Sequence, residues 1–110
     1  MTGMSSAIAK TQISIGSCPV GCTAYTWSAG IADVINKNVN NVQVTAEETK
    51  GYVANVKLLN KGDLEASMAT TLSSFGAYKA TGIYKGGKPG PILSWLSIAP
   101  VAMHVITIDG

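Results

Sequence analysis

Arginine is absent from this chain of 110 residues, so its eight basic side chains are all lysines. Proteins that bind nucleic acids commonly cluster lysine and arginine on one face, and arginine is the preferred ligand of bases and phosphates. Here the lysines are scattered between Lys10 and Lys88, and the formal net charge is only +2. A nucleic acid is therefore not an expected partner.

Charged side chains of either sign are also scarce. They make up 13% of the residues, against about 25% in an average globular protein, whereas 46% of the residues are hydrophobic. A disordered chain has the opposite balance, with low hydrophobicity and high charge, so the composition predicts a folded domain of common size. The low charge also predicts that part of the surface is covered by another molecule.

The chain lacks a continuous hydrophobic segment of the length that a membrane span needs. Residues 11–32 and 89–108 carry no charge, but proline, glycine, serine and threonine interrupt both stretches. The first ten residues are polar and lack the apolar core of a secretory signal, so the protein is either cytosolic or has lost its signal. We predict that residues 1–11 are a disordered or artificially added N-terminal segment and that residues 12–110 form one domain.

Residue types suited to catalysis or metal binding are few. Cys18, Cys22 and the only histidine, His104, cannot supply the four ligands of a zinc site built from cysteine and histidine alone. The two cysteines are either free thiols or a local disulfide, and the sequence leaves both open. His104 lies in an apolar run, which is typical of a structural histidine. We expect no metal, no cofactor and no enzymatic activity; a cysteine nucleophile paired with His104 is the enzymatic alternative.

Hydrophobic patterns of strand and helix type follow one another along the chain. Helices are predicted at residues 24–38 and 52–61, with Thr23 as N-cap of the first, and a third helix capped by Thr70 or Thr71 ends near residue 79. Strands are predicted at residues 12–16, 42–46, 64–69, 92–98 and 103–108. This alternation is typical of a three-layer α/β domain with a mainly parallel sheet flanked by helices. The patterns place Trp27 and Trp95 in the core or an interface.

Three predicted loops join strands to helices at one edge of the sheet. They span residues 16–23, 48–52 and 69–73 and are rich in glycine, serine and threonine. In open parallel sheets, ligands bind at this edge, where backbone N–H groups and the positive end of a helix dipole attract anions. The first loop is neither a P-loop nor a dinucleotide fingerprint, because the required glycine and lysine spacing is missing. The loops indicate either a cleft for a polar ligand or helix capping alone.

The same segments resemble one family of transport receptors. The runs ISIGSCPVGCTAYTWSAGIADVINKN and VQVTAEETKGYVANVKLLNKGDLEASMATT resemble the N-terminal lobe of the TAXI family, the substrate-binding proteins of tripartite (TRAP) transporters. Gly16-Ser17-Cys18 takes the place of the family's Gly-Thr-Gly, and Thr49-Lys50-Gly51-Tyr52 that of its second loop. Thr70-Thr71-Leu72 departs from the family's Gln-Ser-Asp.

The resemblance implies one lobe of a type II periplasmic-binding-protein fold that captures a small carboxylate or amino acid without catalysis. It implies a periplasmic or extracytoplasmic location and, for the full-length protein, the membrane components of a TRAP transporter as partners. Such receptors close two lobes around the ligand, and the resemblance covers one, so we expect an incomplete lobe that forms a homo-oligomer. The alternative is a truncated, self-associating lobe without a ligand. The implied ligand-binding residues are Gly16, Ser17, Thr23, Tyr25, Thr49, Gly51, Tyr52, Thr70 and Thr71.

Overall fold

Strands and helices alternate in the computed structural model, which describes residues 9–88 and 90–100. None of the helices in these ranges is long and apolar enough to cross a membrane. The elements are β1 (Thr11–Gly16), α1 (Thr23–Asn38), β2 (Val42–Glu47), α2 (Tyr52–Lys61), β3 (Ala66–Ser67) and α3 (Thr71–Lys79), followed by a 3-10 turn at Gly82–Tyr84.

The strands form one parallel sheet in the order β2-β1-β3. β1 pairs with β2 along its whole length, from Thr11 opposite Val42 to Gly16 opposite Glu47. It pairs with β3 only at Ile15 and Gly16. Because the strands run in the same direction, the loops that follow them emerge at one edge of the sheet. The α/β class predicted from the sequence, with a parallel sheet flanked by helices, is confirmed.

Helix α1 covers one face of this sheet. Ile15, Ala32 and Val44 form the buried centre of the contact. The fully buried residues of α1 are small and lie one turn apart, at Ala24, Ser28 and Ala32, so the helix lies close to the strands. Trp27 and Trp95, predicted as core or interface residues, are 37% and 65% exposed, and neither belongs to the buried core of the described residues.

The free side of β2 is closed by a side chain of α1. The Asn36 amide donates to the Val44 carbonyl over 2.8 Å and accepts the Val44 N–H over 2.7 Å. These are two of the backbone groups that a further strand would use. Occupying them protects this edge from pairing with another chain.

Three predictions of secondary structure are wrong. Thr23 is the first residue of α1, and the N-cap is Cys22. The third strand covers only Ala66–Ser67 of the predicted 64–69, because the Glu65 carboxylate accepts the Ser14 N–H over 2.8 Å and takes the donor that a longer strand would use. Residues 92–98 form no strand; Trp95, Leu96 and Ile98 line an apolar groove together with residues of α1. The strand predicted at 103–108, with His104, lies outside the described residues.

Candidate functional site

The candidate site is the edge of the sheet where the three strands end. The first loop (residues 17–22), the second loop (residues 48–51) and the third loop (residues 68–70) meet there. The Ser17 N–H and hydroxyl both donate to the Glu47 carbonyl, over 3.0 and 2.9 Å. The Met68 N–H donates to the Gly16 carbonyl over 2.8 Å. The end of β1 is therefore bonded to both neighbours.

The buried side chain of Asn55 in α2 joins all three loops. Its amide nitrogen lies 2.6 Å from the Ser17 carbonyl, 2.8 Å from the Met68 carbonyl and 3.3 Å from the Gly16 carbonyl. Its carbonyl oxygen accepts the Thr49 hydroxyl over 2.5 Å. An amide that is 0% exposed must find such partners, because an unpaired buried polar group is costly. Asn55 therefore fixes the spacing of the loops.

Asn55 is not among the ligand-binding residues predicted from the sequence. The available signal was its position beside Val56 on the buried side of α2, where an asparagine needs hydrogen-bond partners.

Gly16 allows Asn55 of α2 and Leu64 to pack closely against the end of β1. A Cβ atom placed there would overlap Leu64 and would lie 3.1 Å from the Asn55 carbonyl oxygen. Leu64 is itself buried, so it has little room to move. A glycine is needed here for close packing, not for an unusual backbone angle.

Several predicted ligand-binding residues build the edge of the sheet. Gly16 and Ser17 are buried, and the Ser17 hydroxyl is used by Glu47. The Thr49 hydroxyl, whose single proton is shared between the Asn55 and Ser17 carbonyls, lies 2.9 Å from the Ser17 carbonyl oxygen and accepts the Gly51 N–H over 3.1 Å. The Thr70 hydroxyl accepts the Ser73 N–H over 3.2 Å as the N-cap of α3. These hydroxyls have protein partners and shape the loops.

The other predicted residues have side chains at the surface of the same edge. Thr23 and Thr71 are exposed first residues of α1 and α3, and Tyr25 and Tyr52 are half-buried. Gly51 ends the second loop with φ 102° and ψ −172°, a region in which essentially only glycine is stable. The predicted ligand-binding residues thus fall into two groups, those that build the loops and those whose side chains remain accessible. Ligand contact by the accessible group stays a prediction.

The three helix N-termini differ in how they are capped. In α1, the Cys22 sulfur accepts the Tyr25 N–H over 3.4 Å, and in α3 Thr70 plays this role. In α2, the N-cap Gly51 provides no side-chain hydrogen bond. The first N–H groups of a helix have no partner within it, so those of α2 are the ones left without a side-chain acceptor. Lys50, exposed beside them, adds a positive charge to the positive end of the helix dipole.

The first loop is closed by a disulfide between Cys18 and Cys22, whose Cα atoms are 6.4 Å apart. This distance lies within the usual range for a disulfide. Of the two states that the sequence left open, the structure has the bonded one. Among residues 9–88 and 90–100, no group of three histidine, cysteine or acidic side chains could hold a metal ion.

One protein family matches the part of the chain that contains the three loops. The sequence model of the NMT1-like family matches residues 15–108, which run from the last two residues of β1 through the three loops, β2, β3 and the helices. The chain belongs to the NMT1-like family. This family is part of the periplasmic-binding-protein group of substrate-binding proteins. The coarser part of the sequence resemblance, to proteins of this group, is thereby confirmed.

Membership in the NMT1-like family indicates a solute-binding role and a small-molecule ligand. Proteins of this kind are generally non-catalytic and typically lie outside the cytoplasm. The sheet edge described above is the place where an open parallel sheet binds such a ligand.

Proposed function

We propose that the protein captures a small carboxylate or amino acid, without catalysis, at the edge formed by the three loops. The uncapped N-terminus of α2 carries this proposal. A carboxylate placed there would accept the N–H groups of Tyr52 and Val53 and would be attracted by the helix dipole. No arginine is needed for this mode of binding, which suits a chain that has none.

The accessible side chains around the α2 N-terminus would form the walls of the cleft. Thr23 and Thr71 offer hydroxyls on either side, and Tyr25 and Tyr52 offer an aromatic ring with a polar tip. The Lys50 ammonium group would balance the charge of the ligand. Residues 12–110 would act as one lobe, and a second lobe closing over the ligand would complete the site, as in two-lobed receptors.

A wider assignment follows from the resemblance to TAXI proteins. We place the protein outside the cytoplasm, where it would deliver its ligand to the membrane components of a TRAP transporter. Two loops that resemble those of TAXI proteins support this assignment, Gly16-Ser17-Cys18 and Thr49-Lys50-Gly51-Tyr52. The third loop, Thr70-Thr71-Leu72, departs from the family pattern, and there the ligand preference would differ from that of TAXI proteins.

A thermal-shift screen with small carboxylates and amino acids tests the proposed ligand class. At one hundred times its dissociation constant, a ligand bound only by the folded state stabilises it by about 2.7 kcal/mol, which raises Tm by about 10 °C in a domain of this size. The corresponding uncharged amides should give little or no shift, because they lack the anionic group.

Two variants locate the binding site. Thr71→Val and Tyr52→Ala should weaken the shift, whereas Lys57→Ala, an exposed change on the same helix as Tyr52, should leave it unchanged. Equal shifts with acids and amides, or equal loss in all three variants, would contradict binding at the α2 N-terminus.

A second candidate function is self-association without a ligand, and an exposed apolar groove favours it. This groove, the α1 groove, has a volume of about 500 Å³ and is lined by Thr26, Trp27, Gly30, Ile31, Val34, Ile35, Trp95, Leu96 and Ile98. Val34 and Trp95, which both line the groove, are 61% and 65% exposed. Monomeric proteins rarely leave large contiguous apolar patches in water, so we propose that a second copy of the chain covers this surface.

A further inference from the structure

We propose that Cys18 and Cys22 form a reversible redox switch that sets the order of the first loop and of the start of α1. Apart from the chain itself, the disulfide is the only covalent link within the described residues between the end of β1 and the N-cap of α1. Cys18 lies two residues after the end of β1, and Cys22 is the N-cap of α1.

The Cys18 end of the disulfide is held firmly. Cys18 is buried and follows Ser17, whose N–H and hydroxyl bind Glu47 and whose carbonyl accepts the Asn55 amide over 2.6 Å. Through these bonds, the position of Cys18 is set by β2 and α2 as well as by β1.

The Cys22 end depends more on the disulfide. Cys22 is half-buried, and its N–H donates to the Pro19 carbonyl over 3.1 Å, inside the same short loop. Its sulfur accepts the Tyr25 N–H and its carbonyl accepts the Thr26 N–H. The disulfide therefore connects the cap of α1 to the fixed end of β1, whereas the hydrogen bonds of Cys22 itself all lie within residues 19–26.

The exposure of the loop determines which sulfur an external thiol would attack. Pro19, Val20 and Gly21 are exposed, and Cys22 is more accessible than Cys18. A thiolate of an external dithiol attacks the Cys22 sulfur, the Cys18–Cys22 bond breaks, and the Cys18 sulfur leaves and takes a proton. The second thiol of the reductant then attacks the mixed disulfide and releases Cys22 as a thiol.

The exchange moves two electrons and two protons from the dithiol to the cysteine pair, and the reductant becomes a disulfide. An external disulfide reverses the reaction. In the reduced protein, residues 19–22 lose their tie to β1, so the first turn of α1 frays. The effect of reduction on ligand binding, through Tyr25, rests on the proposed function. The effect of reduction on the order of the loop does not.

Hydrogen exchange of the full chain, read by mass spectrometry in oxidised and reduced dithiothreitol, tests the switch. Alkylation of the free thiols measures the redox state in each sample. Reduction should raise the exchange rate of residues 20–26 by about fivefold or more, because the N-cap of α1 is then no longer tied to the fixed end of β1. Residues 52–56 should keep their protection, and reoxidation should restore the original rates.

The double variant Cys18→Ser, Cys22→Ser is the matched control, and Cys22→Ser alone retains a side-chain acceptor at the N-cap. Neither should respond to dithiothreitol. The switch is overturned if both thiols of the native chain stay free in oxidised dithiothreitol, if reduction leaves residues 20–26 unchanged, or if reduction loosens residues 52–56 equally. Because exchange is measured without ligand, failure of the proposed ligand class would show only in the thermal-shift screen.

Discussion

At the scale of single residues, the side chain of Asn55 has the most partners in the candidate site. Asn55→Ala would remove a donor shared by the carbonyls of Gly16, Ser17 and Met68. These carbonyls would be left partly unsatisfied, and the variant should lose about 2 kcal/mol of stability. The expected result is a fall in Tm of about 10 °C, measured by calorimetry.

Lys57→Ala is the control for Asn55→Ala, because it lies on the same helix with an exposed side chain. It should change Tm by little, as surface substitutions generally do. If Asn55→Ala were as mild as Lys57→Ala, the bonds of Asn55 would not be what holds the loops together.

Residue roles were harder to predict from the sequence than loop positions. The glycine, serine and threonine content of the loops located the sheet edge, yet it did not separate Thr49 and Thr70, which have protein partners, from Thr23 and Thr71, which are exposed. That division depends on distances between loops far apart in sequence. The role of Asn55 depends on the same distances.

At the scale of elements, the junction between the second loop and α2 depends on the backbone of Gly51. Its φ of 102° and ψ of −172° are strongly unfavourable for a residue with a Cβ atom, at a cost of about 1–3 kcal/mol. Gly51→Ala should therefore lower stability by this amount in urea unfolding, although nothing lies within 4 Å of the new Cβ.

Gly30→Ala is the matched substitution with the opposite expected sign. Gly30 lies in the middle of α1, with an ordinary helical φ and free space around its Cβ position. Alanine should stabilise the helix there by about 0.5–1 kcal/mol. Stabilisation by both substitutions would show that the Gly51 backbone is not fixed in the conformation described here.

The helices and the first two strands followed from the sequence because their signals are local. Helical spacing and strand alternation extend over whole elements in α1, α2, β1 and β2. The helical spacing located part of the side of α1 that meets the sheet, since Ile31 and Ile35 pack against the core. It did not reveal the small buried residues Ala24, Ser28 and Ala32. Residues 92–98 are rich in apolar side chains, as a buried strand is, but they form no strand. Trp95, Leu96 and Ile98 line a groove beside α1 instead, and no local pattern shows that.

At the scale of the whole molecule, the apolar surface is unevenly covered. α1 buries the centre of one sheet face, yet a second groove remains between the sheet and Trp95, lined by residues such as Ile13, Val42 and Val44. Trp95 also lines the α1 groove. The extended segment at 91–98 therefore covers this face incompletely, while Asn36 closes the free side of β2. Association between copies should thus use the apolar face rather than the β2 edge.

Sedimentation velocity over a range of protein concentrations tests this association. We expect a dimer whose stability does not fall with added salt, because an apolar contact lacks the salt sensitivity of surface ion pairs. Val34→Lys places a charge in the α1 groove and should shift the equilibrium to monomer by about tenfold or more, since burying an unpaired charge is costly. Leu72→Lys introduces the same charge on α3, at a residue that is 79% exposed and outside the groove, and should leave the dimer intact. A compact monomer at all concentrations, or equal dissociation in both variants, would show that no second copy occupies the α1 groove.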